Sequence, residues 1–460
     1  MKIVIFGTGM YYESRRNSII NEVEIVAFID NNPALWGKKK NGIDIYSPNA
    51  IKRMVYDKIV LMSLSSDEMM KQLLDMGITK EKINYYDEFY AELKKGKMEI
   101  YFDNITINKN KRILIAIHAL GFHGASIIAL STARALKEKG YQVTLIAADG
   151  DKNFINAVIK EGFLVLIYGG IFYVEAEEMF WIKYFDYVIV NTYFLMRFAF
   201  NVSKLTPSLL WLHEAENAYK HISEETGNFQ VSDVSGLNIF AVSEVAAKNF
   251  NDHYPLAKIK YLKYGIPDKN INHLTKKNKE KLIFAIIGYV SKIKGQDIFI
   301  NAIKKLSDIE KEGVEFWIIG KIGDDIYSQE IKKFAEQECS IKILGEFNQD
   351  EMEKAYSHID VVINSSRQDV FPTVIAEGLM YGKVCITTDV TGMAPLIKNG
   401  ENGFVCKSDD AEDLCSRIRW ILLHRDVCEK IEKNARQTYL EHFTMEKFSN
   451  RLEAIIVPEI

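Results

Sequence analysis

Short apolar runs recur along the chain, each stopped by glycine or a polar residue and followed by a stretch of helical spacing. Lys2 to Phe6 halts at Gly7-Thr8-Gly9, and Glu24 to Ile29 ends at Asp30. Lys58 to Met62 leads through Ser63 to Ser66 into a helical stretch, Asp67 to Met76. Apolar runs of about four to six residues separated by helical segments predict buried parallel strands in βαβ units. Tyr86 to Tyr90 and the basic Lys94 to Lys97 begin a surface region, and the polar stretch Asp103 to Lys111 predicts a linker.

The pattern restarts twice. Arg112 to Ile117 predicts a strand, followed by His118 to Gly124 and a helix from Ala125 to Lys139, where Gly140 supplies a left-handed C-cap. Further strands are expected at Gln142 to Ala147, Leu164 to Tyr168, Tyr187 to Val190, Leu209 to Leu212 and Asn238 to Val242. A third cycle opens with strand Leu282 to Ile287 and helix Asp297 to Leu306. It continues through strands at Glu315 to Ile319, Ile341 to Leu344, Val361 to Ile363 and Val384 to Thr387, with helices between, and closes on helix Ala411 to His424. The returns are short, as parallel-sheet units require. Glu432 to Val457 is helical in propensity, broken at Glu441 to Thr444. Its apolar Tyr439, Phe443, Phe448, Leu452 and Ile456 need a surface, either in their own domain or bridging to another. The expected fold is α/β with domains at 1–105, 106–268 and 269–440 and a terminal segment, 441–460, bridging back to the second.

Composition narrows this picture. Hydrophobic residues make up 48% and charged residues 26% of the 460, a mixture suited to packed cores. Net charge is −4, with 58 basic against 62 acidic side chains, which argues against a nucleic-acid binder. The basic runs Lys38 to Lys40 and Lys276 to Lys281 read as solvated loops. Five cysteines without a CxxC pair disfavour a disulfide framework or a structural zinc site. With no signal-peptide pattern and no run near about 20 apolar residues, a cytoplasmic protein is expected. Association with the inner face of a membrane stays open.

The most informative segment runs from Asn364 to Gly382, leaving a strand and entering a helix near Pro372 to Val374. Asp369 lies before that helix and Glu377 within it, so both carboxylates can aim into one crevice and accept hydrogen bonds from sugar or ribose hydroxyls. The plainer alternative makes Asp369 a cap and Glu377 a solvated helix residue. The segment resembles the acidic motif, Glu-seven residues-Glu, of retaining glycosyltransferases of GT-B architecture, the large family that includes sucrose-synthase-like and mannosyltransferase enzymes (glycosyltransferase family 4-like). Asp369 replaces the usual first Glu, Phe371 matches, and Pro372 stands where Gly is commoner.

That resemblance covers about Arg112 to Leu452 and implies two Rossmann-like domains preceded here by a smaller one. It implies His213, Lys294 and Asp369 as catalytic residues. Donor contacts are implied for Gly121, Gly124, Gly288, Tyr289, Lys294, Phe371, Pro372, Thr373, Glu377 and Gly392. Lys294 matches the lysine that neutralises the donor diphosphate, while Tyr289 stands where many members have Arg. Lys292 is a candidate to compensate. His213, in Trp211-Leu-His-Glu214, matches a histidine near the donor sugar, with a packing histidine as the alternative. Ser243 caps a helix, Tyr264-Gly-Ile-Pro267 resembles the crossover between domains, and His118, at a strand end, either serves the site or hydrogen-bonds a loop, the second being the preferred expectation. In the front domain Gly7, Gly9 and Asp30 form an incomplete dinucleotide fingerprint with Tyr12 in the third glycine position. Asp30-Asn-Asn-Pro33 and Gly42 to Tyr46 resemble small domains attached to bacterial surface-sugar enzymes.

The resemblance thus implies retaining transfer of a sugar from a nucleoside diphosphate donor to a glycan or other hydroxyl acceptor in surface-glycan assembly, with no metal and no cofactor. A sugar-nucleotide epimerase or hydrolase and a non-catalytic assembly factor remain alternatives, and a dehydrogenase built on the front Gly-x-Gly is the weakest.

Overall fold

The computed structural model describes residues 1–16, 19–63, 65–104, 110–216, 218–219, 234–269 and 281–457. Most of the expected linker and of the basic run before Lys281 lies outside the described residues. The chain forms two compact units: Met1–Ala133, Gly140–Leu210 and Glu216–Asn238 make the first, and Arg134–Lys139, Trp211–Ala215 and Ile239–Ile460 the second.

In the first unit, β1 (Lys2–Phe6), β2 (Glu24–Ile29), β3 (Lys39–Lys40), β4 (Ile43–Tyr46), β5 (Lys58–Leu61) and β6 (Ile83–Tyr85) form a sheet ordered β3-β4-β2-β1-β5-β6. All pairs are parallel except the β3–β4 hairpin. Alternation along a strand sends side chains to both faces, and both are covered. Val4 and Phe6 join Ile29, Leu61 and Leu73 on one side; Ile3 and Ile5 join Phe28, Val60 and Phe89 on the other. Helices α1 (Met10–Arg15), α2 (Ser66–Asp75) and α3 (Tyr86–Lys94) supply the covering residues. Here the structure corrects an expectation. Tyr86, Phe89 and Tyr90 are buried rather than at a surface, because α3 packs between its sheet and the turn Gly169–Phe172. Lys95 pairs with Glu178 at 2.7 Å beside this contact.

Glu99–Tyr101, on the front side of the expected boundary, forms β7 and pairs antiparallel with the middle sheet, Tyr101 opposite Val165. That sheet uses β8 (Arg112–Leu120), β9 (Gln142–Gly150), β10 (Leu164–Ile167), β11 (Tyr187–Val190) and the start of β12 (Ser208–Leu212), in the order β12-β11-β8-β9-β10-β7. Helices α4 (Gly124–Glu138), α5 (Lys152–Lys160) and α6 (Met196–Ser203) connect them.

The second unit begins with the end of β12. Val242 donates its N–H to Leu212 beyond β13 (Ile239–Ala241), and β13 pairs with β14 (Ile259–Tyr261), with α7 (Glu244–Asn251) between. Its main sheet is wholly parallel: β15 (Leu282–Ile287), β16 (Val314–Ile319), β17 (Ile341–Gly345), β18 (Val361–Asn364), β19 (Val384–Thr388) and β20 (Phe404–Cys406), ordered β17-β16-β15-β18-β19-β20. The helices are α8 (Gln296–Lys304), α9 (Asp308–Lys311), α10 (Ile326–Glu336), α11 (Gln349–His358), α12 (Thr373–Met380), α13 (Ala411–Leu423), α14 (Arg425–His442) and α15 (Met445–Ile456). The terminal apolar positions find their surface in this unit. Phe448 stacks on Trp211 with ring centroids 5.7 Å apart, Lys139 holds Asn450 and Glu453, and Ile266 donates its N–H to the Phe443 carbonyl.

Candidate functional site

Strand order reverses between β15 and β18, one built before and the other after the β16–β17 excursion. A parallel sheet opens a crevice at the carboxyl ends of such a strand pair. The loop after β15 and the segment after β18 meet there. Lys294 Nζ lies 2.6 Å from Asp369 Oδ2, and Asp369 Oδ1 accepts the Phe371 N–H at 3.3 Å. Asp369 is therefore held by charge and by its own loop, with only a tenth of its side chain exposed against about a third for Lys294.

The lysine loop is pinned from below. Gly295 has φ +72°, and a Cβ there would sit 2.1 Å from the Ser365 carbonyl oxygen. That contact admits glycine alone. Ser365 donates to the Gly295 carbonyl at 2.8 Å, and the buried Gln296 side chain binds the Ser291 N–H and the Tyr289 carbonyl. Arg367 completes the frame. Its guanidinium donates to the Lys292 carbonyl at 2.6 Å and to both oxygens of Asp297 at 2.9 and 2.7 Å, a fork that only Arg supplies. These bonds hold Arg367 firmly protonated. Arg367, Gln296 and Asp297 were not singled out from sequence. Arg367 lay inside the quoted acidic segment, two residues before Asp369, and its unusual polarity at a strand exit was the available signal.

Glu377 lies on α12, which starts at Thr373 with Pro372 in the cap position and no side-chain cap. Burial raises its carboxyl pKa, opposed by the Tyr356 hydroxyl, which donates to Oε2 at 2.8 Å, and by the charge of Lys269. It is thus neither solvated nor solitary. Tyr264 lies close enough to both Asp369 and Glu377 that each opposes ionisation of its phenol, already disfavoured by burial. Phe371 is buried edge-on to Tyr264, with ring centroids 4.6 Å apart.

His213 follows β12 in the same unit. Its ring lies 4.5 Å from Trp211 and 6.4 Å from Tyr264, and burial lowers its pKa to about 3, so it is a neutral imidazole at ordinary pH. Glu214 turns back to accept the His213 N–H at 2.9 Å. Gly288 ends β15, Tyr289 beside it is half exposed, and Lys292 offers its carbonyl to Arg367. Gly392 packs against Val370 and Ser243.

Gly121 and Gly124 lie in the first unit, between β8 and α4, where the Gly121 N–H reaches Ser126 Oγ at 3.1 Å. His118 corrects the loop-bonding expectation. Its Nδ1 has no hydrogen-bond partner among the described residues, and its ring stacks on His123 at 5.6 Å and lies tilted against Phe194 at 5.0 Å. In the front domain Gly7 and Gly9 follow β1, where order reverses toward β5. Asp30 accepts the Thr8 N–H and hydroxyl at 3.1 and 2.7 Å and the Asn32 N–H at 2.9 Å. Tyr12 fills the third fingerprint position as a buried ring against Phe28, and its hydroxyl accepts from Asn41 at 2.9 Å. A pocket of about 340 Å³ in this domain is lined by Tyr12, Arg16, Asn41 and neighbouring isoleucines, and includes none of Gly7, Gly9 and Asp30.

Residues 268–438, which contain Lys294, Asp369, Glu377 and Gly392, match the family model of glycosyl transferases group 1. The second unit carries a group 1 glycosyltransferase domain. Residues 1–84 match a separate family, the C2185-like N-terminal domain. Similarity to curated proteins centres on part of the chain. N-acetyl-alpha-D-glucosaminyl L-malate synthase of Bacillus anthracis is 22% identical over 182 residues, 38% of this chain and 45% of that protein. Sulfoquinovosyl transferase SQD2 of Arabidopsis thaliana is 24% identical over 161 residues, 34% of this chain and 30% of that protein. The chain thus spans less than half the length of these relatives. Among solved structures, HepE of Anabaena in complex with UDP and glucose superposes with TM-score 0.59 at 15% identity, over 75% of this chain and 98% of that one. A glycosyltransferase from Rickettsia africae gives TM-score 0.61 at 17% identity, over 76% and 100%. The group 1 domain therefore belongs to a GT-B fold with an additional α/β region in front, as the acidic motif implied. No helix among the described residues is long and apolar enough to cross a membrane.

Proposed function

We propose that this chain transfers a sugar from a nucleoside diphosphate donor to a hydroxyl acceptor, with retention of anomeric configuration. The Lys294–Asp369 pair, 2.6 Å apart at the point where strand order reverses, carries this reading. It joins a fixed cation, suited to a diphosphate, to a carboxylate suited to sugar hydroxyls in one crevice. The uncapped start of α12, at Thr373, adds amide dipoles that favour phosphate oxygens. Glu377, further along α12 and held by the Tyr356 hydroxyl of α11, binds the ribose. His213 positions the transferred sugar as a neutral hydrogen-bonding imidazole. Neither carboxylate is assigned as a nucleophile; the departing diphosphate assists deprotonation of the acceptor, and Lys294 stabilises the charge that grows on it.

HepE of Anabaena was solved with UDP and glucose, which supports a nucleotide-sugar donor here. Surface-glycan assembly is the proposed setting, supported by the likeness of Asp30 to Pro33 and Gly42 to Tyr46 to domains of surface-sugar enzymes. The commitment of Asp30 to Thr8 and Asn32 supports a structural or recruiting role for the front domain. Thermal-shift titration with UDP- and GDP-sugars, followed by mass analysis of products, tests the proposal. Glu377→Ala is expected to weaken nucleotide binding at least about tenfold, the scale of a lost charge-assisted hydrogen bond. Unchanged donor affinity rejects that assignment, and donor conversion without an acceptor favours epimerisation or hydrolysis.

A further inference from the structure

Two hydroxyls from the segment before the group 1 domain reach consecutive carbonyls of the acidic loop. Ser243 Oγ donates to the Val370 carbonyl at 2.6 Å, and Tyr264 Oη to the Phe371 carbonyl at 3.1 Å. They lie 127 and 107 residues from their acceptors in sequence, so the contacts are tertiary and serve no local turn. Ser243 also caps α7 by accepting the Ala246 N–H at 3.2 Å, which fixes its side chain. Gly392 closes the third side. It donates its N–H to the Asp369 carbonyl at 3.0 Å, and a Cβ on it would lie 1.9 Å from the Val370 oxygen and 2.6 Å from Ser243 Oγ.

Tyr264 is itself anchored. Its ring is buried against Phe371, which in turn meets Phe443 at 5.7 Å. Two residues on, the Ile266 carbonyl accepts the Tyr439 hydroxyl at 2.7 Å. The backbone of Asp369, Val370 and Phe371 is therefore held at three successive carbonyls, two by side chains that the sugar-donor reading does not use. Helix α12 begins two residues after Phe371.

We propose that Ser243 and Tyr264 are positioning residues that hold the 369–371 loop in one conformation and thereby aim the Asp369 carboxylate beside Lys294. Each hydroxyl is committed to a backbone carbonyl and acts through it. The consequence for catalysis rests on the glycosyl-transfer reading, whereas the consequence for the loop does not. Removing either hydroxyl frees a carbonyl and lets Asp369 sample other orientations, so sugar placement suffers more than nucleotide binding.

The experiment compares full-length Tyr264→Phe and Ser243→Ala with the parent chain by hydrogen exchange of peptides spanning 366–376, by thermal unfolding, and by binding of UDP and of UDP-glucose. Gly392→Ala, which crowds the same carbonyl from the other side, serves as a third variant. Amide exchange in 366–376 is expected to quicken about tenfold in Tyr264→Phe and Ser243→Ala while exchange elsewhere is retained. Affinity for UDP should change less than about threefold, and kcat with a transferable donor should fall at least about tenfold. Unchanged exchange in 366–376 in both hydroxyl variants overturns the clamp, whatever the protein binds. Equal acceleration across the whole unit also overturns it, since that marks a merely structural role. Faster loop exchange in a protein that binds no nucleotide sugar upholds the clamp and removes the glycosyl-transfer reading instead.

Discussion

Burial decides the protonation of His213, and that has a consequence for stability that stands apart from catalysis. Its pKa falls from an ordinary 6.5 to about 3 in the fold because a charged ring is poorly solvated there. Between these values the unfolded chain binds a proton that the folded chain refuses, so stability declines as pH falls through that window and is unaffected by this group above it. At about pH 5 the loss amounts to about 2 kcal/mol, from roughly 1.4 kcal/mol per pH unit. His213→Gln should therefore lose about 2 kcal/mol less than the parent between about pH 7 and about pH 5 in denaturant titrations. Identical losses would show that the ring is accessible to protons. The sequence pointed to the loop and segment that bring Lys294 and Asp369 together, because residue type and position after a strand coincide there. Residue chemistry was hidden where a group acts through backbone. Nothing in the spacing of Ser243 or Tyr264 announces carbonyl acceptors more than a hundred residues away.

Most strands were legible as short apolar runs. Five strands of the group 1 sheet are expected from such runs, the three-residue edge strand β20 is too short to announce itself, and the predicted limits of Tyr187–Val190 and Lys2–Phe6 coincide with the structure. Composition misled at α3, where tyrosines and charges mix as they do on surfaces. The buried side of that helix is covered by a turn, Gly169–Phe172, that comes about 80 residues later. Loops are the least legible element because their geometry is set by what they touch. Gly295 shows this. Gly295→Ala must place a methyl on the Ser365 carbonyl at positive φ, a combination expected to cost at least about 3 kcal/mol. A drop in melting temperature of several degrees, with weakened binding of UDP, is the expected result. An unchanged melting temperature would mean the loop is not pinned.

At the scale of the molecule, the front domain is continuous with its neighbour through α3 and through β7, which borders the middle sheet. The expected boundary near residue 105 is therefore a poor place to cut. A chain beginning at Lys111 exposes the edge of β10 and the turn that α3 covers, and unpaired edges invite association. Such a chain is expected to melt lower and aggregate more than one beginning at Gly96, which keeps β7; size-exclusion profiles of the two, run side by side, decide it. The other end of the chain carries a different demand. Trp211 is wholly buried and its ring is covered by Phe448, 237 residues later. During synthesis that indole waits uncovered for roughly 10–50 s at ordinary elongation rates. Nascent chains must therefore pass through a period in which a large sticky surface is shielded only by whatever holds growing polypeptides, and the helix that carries Phe448 is the one that ends their dependence on such help.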